Sequence, residues 1–371
     1  MVLKLETSLI KAASELSSRP DYCAAFANLA LARREGYHVL VGSDELLQRL
    51  ASSPHLPAET KALYTRVRQE STQVGNLLNI VDVFLSVSLE DSLDVTDPRG
   101  MYVNLRTFVS LDSAAPARLV AENLNDCRFY KFVAESFVAG ELNSKLPITC
   151  HLVNGGGAEI GNVYAHNKPL NGVTLAIVDS DRFCRADAIG GVARSIGTVN
   201  RNVAGLGDVI VLEAKGVENL IPILIWQEMF ESGWTCELGQ SDVERFAAEE
   251  CEVRLFADLK NGIRLHSVEF WSPEAPRSIF WSRRQQGIRS RFGSIESRCT
   301  VTHQCGAADE CECWVLRKAG GGALPQAVAA TLTLRPARIW QSLDGCLKPE
   351  WSRVGKLVLS WCCGIQRIYA S

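Results

Sequence analysis

Apolar residues recur along this chain with two periods, one helical and one alternating, and the places where the period changes mark its elements. Leu9, Ile10, Ala13 and Leu16 fall on one helical face, and Tyr37 to Val41 reads as a strand. Asp44-Glu45-Leu46-Leu47 opens an amphipathic helix, with Gly42-Ser43-Asp44 before it read as a helix cap rather than an acidic site. Val81 to Ser88 and Tyr102 to Leu111 read as strands on either side of the turn-forming Asp97-Pro98-Arg99-Gly100. Residues 1–112 are therefore expected to form an α/β region, and they carry no motif that assigns them a role.

From about residue 116 short apolar runs alternate with helical patterns, the signature of a parallel sheet with crossover helices. Arg118 to Ala121 reads as a strand, and Asp126 to Val138 as a helix with Phe129, Phe132, Val133 and Phe137 on one face. Ile148 to Val153 is a second strand running into Asn154-Gly155-Gly156-Gly157, with Ala158 to His166 the helix after it. Val173 to Val178 is a third strand, ending in Asp179-Ser180-Asp181, and Asp208 to Leu212 a fourth, leading to Glu213, Lys215 and Glu218. This places a small sheet domain at residues 113–230 and a less regular, Cys- and Arg-rich α+β module at 231–371.

Composition narrows the class. A chain of 371 residues that is 47% hydrophobic is neither disordered nor fibrous. With 39 Lys and Arg against 42 Asp and Glu, it has no broad cationic field, so nucleic-acid binding has to come from a local patch. No apolar stretch approaches the roughly 20 residues of a membrane span, and the polar start Met-Val-Leu-Lys-Leu-Glu-Thr does not read as a secretory signal. The 13 cysteines are odd in number and irregular in spacing, which points to a cytoplasmic protein with thiols mostly reduced, buried or metal-bound and with no membrane partner.

Ligands collect at the carboxyl ends of strands in an open α/β sheet, and here three strands end in acids. Glu122 follows the first, with Asp126 one helical turn on; Asp179 and Asp181 follow the third; Glu213 and Glu218 follow the fourth. On an extended segment residues i and i+2 face one side, so Asp179 and Asp181 are expected to address one cation together. Clustered carboxylates repel unless a hard divalent cation neutralises them.

The run Leu119-Val120-Ala121-Glu122-Asn123-Leu124-Asn125-Asp126 resembles the first motif of TOPRIM domains, and Val173 to Asp181 resembles their apolar strand ending in Asp-x-Asp. Val153-Asn154-Gly155-Gly156-Gly157 and Glu218-Asn219-Leu220 resemble motifs of the OLD-type nuclease branch. The likeness covers about residues 116–225, and Asn123 stands where the family usually has Gly. It implies a TOPRIM-like parallel-sheet core with helices on both faces and Mg²⁺- or Mn²⁺-assisted phosphodiester hydrolysis of DNA or RNA, tRNA included. By that resemblance Glu122, Asp179, Asp181 and Glu218 hold metal, with Glu122 alternatively the general base; Asp126 completes the shell and Lys215 neutralises charge on the phosphate. Glu213 competes with Glu218 for its role. Tyr130, on the first helix of this unit, reads as a packing residue. There is no Walker motif, and Gly320-Gly321-Gly322 lacks the Lys-Ser or Lys-Thr of a phosphate loop, so an ATPase or sensor of the kind joined to such nucleases in bacterial anti-phage systems has to be a separate protein.

Two further features lie beyond the likeness. Between 277 and 298, Arg277, Arg283, Arg284, Arg289, Arg291 and Arg298 face one acid, Glu296, with Phe280, Trp281 and Phe292 interleaved, the chain's best nucleic-acid patch by phosphate pairing and base stacking. An arginine face over core aromatics, or one for a protein partner, is the competing reading. Cys299, His303, Cys305, Cys311 and Cys313 offer five soft ligands for a structural Zn²⁺, against reduced or partly buried thiols. The chain thus reads as a metal-dependent nuclease. The alternatives are a non-catalytic scaffold keeping the fold and its Mg²⁺ site, or a nucleotide phosphohydrolase for which the arginine segment is dispensable.

Overall fold

In a computed structural model, residues 1–89, 97–168, 172–293 and 313–368 of the chain are described. They belong to two compact units, the first formed by residues 1–176, 196–209 and 353–371 and the second by residues 177–195 and 210–352. The fold is α/β, with two sheet cores built on parallel strand pairs.

The first sheet takes β1 (Val2–Leu5), β2 (Val39–Gly42), β3 (Phe84–Ser88) and β4 (Gly100–Asn104) in the order β2-β1-β3-β4, every neighbouring pair parallel. Its connections hold α1 (Leu9–Ser14), α2 (Pro20–Arg34), α3 (Asp44–Ser52), α4 (Ala58–Val74) and α5 (Leu77–Ile80). Pro20 opens α2 at a position where a missing N–H costs nothing. Ser43 caps α3, its hydroxyl accepting the Leu46 N–H at 3.3 Å. The strand expected to run on to Leu111 stops at Asn104, because the Asn104 side chain accepts the Arg106 N–H at 3.0 Å and turns the chain into a 3-10 helix, Leu105–Val109.

The second sheet has the order β6-β5-β7-β8, with β5 (Ala117–Ala121) parallel to both β6 (Cys150–Asn154) and β7 (Thr174–Val178). Between β5 and β6 lies α6 (Leu124–Gly140), between β6 and β7 lies α7 (Ile160–Asn167), and α8 (Gly191–Asn202) precedes β8 (Gly207–Val211). Every residue of β7 is buried, as an unbroken apolar run between two neighbouring strands requires. The glycines after β6 have separate reasons. A Cβ on Gly155 would come 2.5 Å from the Ala121 carbonyl oxygen of β5, while Gly156 takes a left-handed φ of 71°.

The remaining elements are largely helical: α9 (Ile223–Glu231), α10 (Gln240–Phe246), α11 (Cys251–Phe256), β9 (Ile263–Arg264), α12 (Leu265–Phe270), α13 (Pro276–Phe292), β10 (Trp314–Leu316), α14 (Ala323–Thr331), α15 (Pro336–Ser342) and α16 (Lys348–Cys362). Strands β9 and β10 pair antiparallel. Among the described residues a disulfide joins Cys251 to Cys346. Cys362 and Cys363 are fully buried at the end of α16, and the Thr149 N–H donates to the Cys362 carbonyl at 2.8 Å. No helix of the described residues is long and apolar enough to cross a membrane.

Candidate functional site

In the first unit, Glu122 directly follows β5, and its carbonyl accepts the Gly157 N–H at 2.9 Å. Asn123 is the N-cap of α6 in an extended conformation, φ −143°, so the turn after β5 needs no glycine here. Its side-chain oxygen accepts the Asp126 N–H, and Asp126 returns a bond from each carboxylate oxygen: Oδ2 accepts the Asn123 N–H at 3.0 Å and Oδ1 its side-chain amide at 2.7 Å. Expected to complete a metal shell, Asp126 has both oxygens engaged in this reciprocal cap and is itself buried. Tyr130 is 1% exposed, as a packing residue should be.

The other acids belong to the second unit. After β7 the Asp179 Oδ1 accepts the Val217 N–H at 3.2 Å, and the Asp181 N–H donates to the Lys215 carbonyl at 2.9 Å. These bonds, with the Ser180 hydroxyl donating to the Ala214 carbonyl at 2.7 Å, lace the loop after β7 onto residues 214–217. The expectation that Asp179 and Asp181 share one side of an extended segment does not hold. The strand ends at Val178, and Asp181 has a left-handed backbone, φ 55°, which breaks the alternation. The Asp181 carboxylate lies against the α-carbon of Gly190, while that of Asp179 lies against Gly216.

Asp179 and Glu218 both approach Gly216 instead. A Cβ on Gly216 would stand 2.9 Å from Asp179 Oδ2 and 3.3 Å from Glu218 Oε2, so two carboxylate oxygens close on the space a side chain would fill. Glu218 is 7% exposed, and burial raises its pKa above the ordinary glutamate value. A backbone hydrogen bond and the ammonium groups of Lys260 and Lys215 oppose that rise, and the nearby Asp258 carboxylate adds to it. Glu213 is half exposed, with a carboxylate oxygen 4.0 Å from Arg182.

Asn219 of the Glu218-Asn219-Leu220 run and three residues that the sequence did not single out, Phe183, Asp258 and Lys260, complete this surface. Asn219 braces the turn: its amide donates to the carbonyls of Arg254 and Ala257, each at 2.8 Å, and its oxygen accepts the Gly216 N–H at 3.2 Å. Lys215 Nζ lies 3.5 Å from Asp258 Oδ2 and 3.8 Å from the centroid of the Phe183 ring, which fixes an otherwise flexible ammonium. Lys260 adds the second positive charge. In sequence, Asp258-Leu259-Lys260-Asn261 reads only as a polar turn, and Asp258 does accept the Asn261 N–H at 2.8 Å, so nothing local signals its partnership with Lys215.

Among the described residues no group of three or more His, Cys, Asp or Glu side chains is arranged to hold a metal ion. Mg²⁺ does not need one, because it keeps several waters and is commonly held by one or two carboxylates together with substrate phosphates. The oxygens closing on Gly216 fit that smaller requirement. Of the expected zinc ligands, Cys299, His303, Cys305 and Cys311 lie outside the described residues, and Cys313 is buried just before β10.

The arginine segment differs from a bare basic patch. Arg284 pairs with Glu250 at 3.0 Å and Arg291 with Glu249 at 2.8 Å. Trp281 and Phe292 are fully buried, and the Trp281 indole donates to the Phe183 carbonyl at 2.7 Å, so neither offers a face to a base. Arg283 and Arg289 have no ion pair among the described residues. Arg298 and Glu296 lie outside them.

Searches of protein-family models, of curated proteins and of solved structures return no match to this chain.

Proposed function

We propose that the protein is a metal-dependent hydrolase of phosphodiester bonds in nucleic acid, with its centre at the turn 215–218 and the loop that follows β7. The observation that carries this reading is the convergence of Asp179 Oδ2 and Glu218 Oε2 on the α-carbon of Gly216. Gathering acids costs energy, and a buried Glu218 with the half-buried Asp179 facing the same glycine, beside Lys215 and Lys260, has little purpose in a purely structural turn. Bound there, Mg²⁺ or Mn²⁺ would neutralise the phosphoryl oxygens and lower the pKa of a coordinated water.

The chain's own groups set the rest. The Val217 N–H holds Asp179 by one oxygen and thereby fixes the direction of the other. Burial raises the pKa of Glu218, which suits it to ionise when a cation arrives. Lys215, held by Asp258 and Phe183, puts a fixed positive charge where a phosphate gains negative charge. The resemblance of these motifs to TOPRIM nucleases of the OLD type supports the same chemistry, and an effector role in anti-phage defence, controlled by a separate partner, rests on that resemblance alone.

The test is cleavage of plasmid DNA and total cellular RNA by the purified full chain with Mg²⁺ or Mn²⁺, beside Asp179→Asn and Glu218→Gln. Cleavage by the wild type alone is the expected result, and the sensitive substrate names the target. Equal cleavage by all three proteins refutes the assignment of the centre.

A further inference from the structure

Beside this centre, within the second unit, lies a groove of ≈ 520 Å³ lined by Cys184, Arg185 and Ala186 on one wall, Pro276, Ile279, Phe280, Arg283 and Arg284 of α13 on the other, and Glu252. That volume is within the range of sites that hold small organic ligands. Its floor is apolar. Ile279 keeps 44% of its surface exposed, and the half-buried Phe280 carries the Arg284 guanidinium 4.1 Å from its ring centroid. Its rim is cationic, three arginines against a single glutamate. Arg185 is 3.6 Å from Glu252, Arg284 is paired with Glu250, and Arg283 is exposed with no ion pair among the described residues.

The groove is also tied to the proposed centre. Its first wall begins three residues after Asp181, and Phe183, within that stretch, both receives the Trp281 indole N–H and lies under the Lys215 ammonium. Trp281, Ile288 and Phe292 anchor α13 through its buried face, which leaves Ile279, Phe280 and Arg283 on the other.

Apolar side chains beside guanidinium groups recognise a planar ring flanked by anions. In a duplex the base faces are covered by their neighbours, so only an unpaired nucleotide offers that combination. Resting on the hydrolase reading above, we infer that this groove holds an unpaired nucleotide of a single-stranded nucleic acid next to the bond to be cut. Arg283 and Arg185 bind its phosphates, and Ile279 with the Phe280–Arg284 stack receives its base.

The experiment is fluorescence anisotropy of the full chain with a labelled single-stranded oligonucleotide and with a hairpin duplex of equal length, in EDTA so that nothing is cut. Arg283→Glu and Ile279→Asp are run beside the wild type, each checked for an unchanged melting temperature, with Arg185→Glu as a further variant should either fail to fold. The single strand is expected to bind at least about tenfold tighter than the duplex. Arg283→Glu is expected to remove most of that affinity and to lower its salt slope by about one. Variants that bind like the wild type, a duplex bound as tightly as the single strand, or a polyglutamate peptide bound more tightly than either, each overturn the groove assignment. Turnover of bis(p-nitrophenyl) phosphate by the wild type with Mn²⁺ reads the Asp179–Glu218 centre separately. Turnover without variant-sensitive binding overturns the groove and keeps the centre; variant-sensitive binding without turnover keeps the groove and overturns the centre.

Discussion

Asp179 Oδ1 accepts the backbone N–H of Val217 at 3.2 Å, and its other oxygen closes on Gly216. Gly216 itself is extended, φ −153°, a conformation open to any residue, so what the position lacks is room for a methyl group and not backbone freedom. Gly216→Ala should therefore fold normally and push the Asp179 carboxylate aside. Metal-dependent cleavage is expected to fall on the order of tenfold or more, with little change in melting temperature. Gly190→Ala makes the same intrusion against Asp181, and comparing the two rates shows which carboxylate the reaction uses. Cleavage unchanged in Gly216→Ala would count against the centre.

The parts of this arrangement that could be read in the sequence are those fixed by short-range pattern. The unbroken apolar run of β7 and the polar Asp179 after it are legible because a central strand must be apolar on both faces. Asp181 is different. Its left-handed backbone is held by an N–H bond to the Lys215 carbonyl, a partner 34 residues away, and no local periodicity encodes that. Asp258 carries no local signal for the same reason, and the bracing role of Asn219, a member of the Glu218-Asn219-Leu220 run, likewise works through groups distant in sequence. In α13 the sequence displays the arginines but not Glu249 and Glu250, which reach back to neutralise two of them.

Asp126 offers a check on the difference between a cap and a catalytic acid. Its two oxygens take both Asn123 donors at the start of α6, so Asp126→Ala should cost about 1 kcal/mol of stability. Asn123→Ala should cost a similar amount, and the double variant less than the sum of the two, because they break the same reciprocal bonds. Urea midpoints of the four proteins measure this. A loss of cleavage in Asp126→Ala without a fall in midpoint would return the residue to the catalytic set.

The Cys251–Cys346 disulfide closes a long stretch of chain, with a sequence separation of 95 residues. Cross-links over such loops restrict the unfolded chain, and this one is expected to contribute about 2–4 kcal/mol. Cys251→Ser should lower the denaturation midpoint under non-reducing conditions, and a reductant should lower the wild type towards the variant while leaving the variant unchanged. Mass spectrometry of the unreduced protein after alkylation reads the bond directly. Alkylation of both residues without reduction would refute it.

Glu218 couples the proposed centre to pH. Burial raises its pKa in the folded protein, so between the ordinary glutamate value and the raised one the folded state holds a proton that the unfolded state has lost. Stability from this group is thus fully present at the acidic end of that window and declines as pH rises through it. Glu218→Gln carries no charge to bury. Without added metal the variant should melt higher than the wild type at about pH 8, and the gap should narrow as the pH falls towards about 5. A divalent cation competes with the proton for the same carboxylate, so Mn²⁺ should raise the wild-type melting temperature more at the higher pH and should do little for Glu218→Gln. Cleavage should follow the same limb, increasing with pH as Glu218 ionises. Scanning calorimetry of both proteins across this range, with and without Mn²⁺, measures every term; an equal Mn²⁺ response in the two would remove Glu218 from the centre.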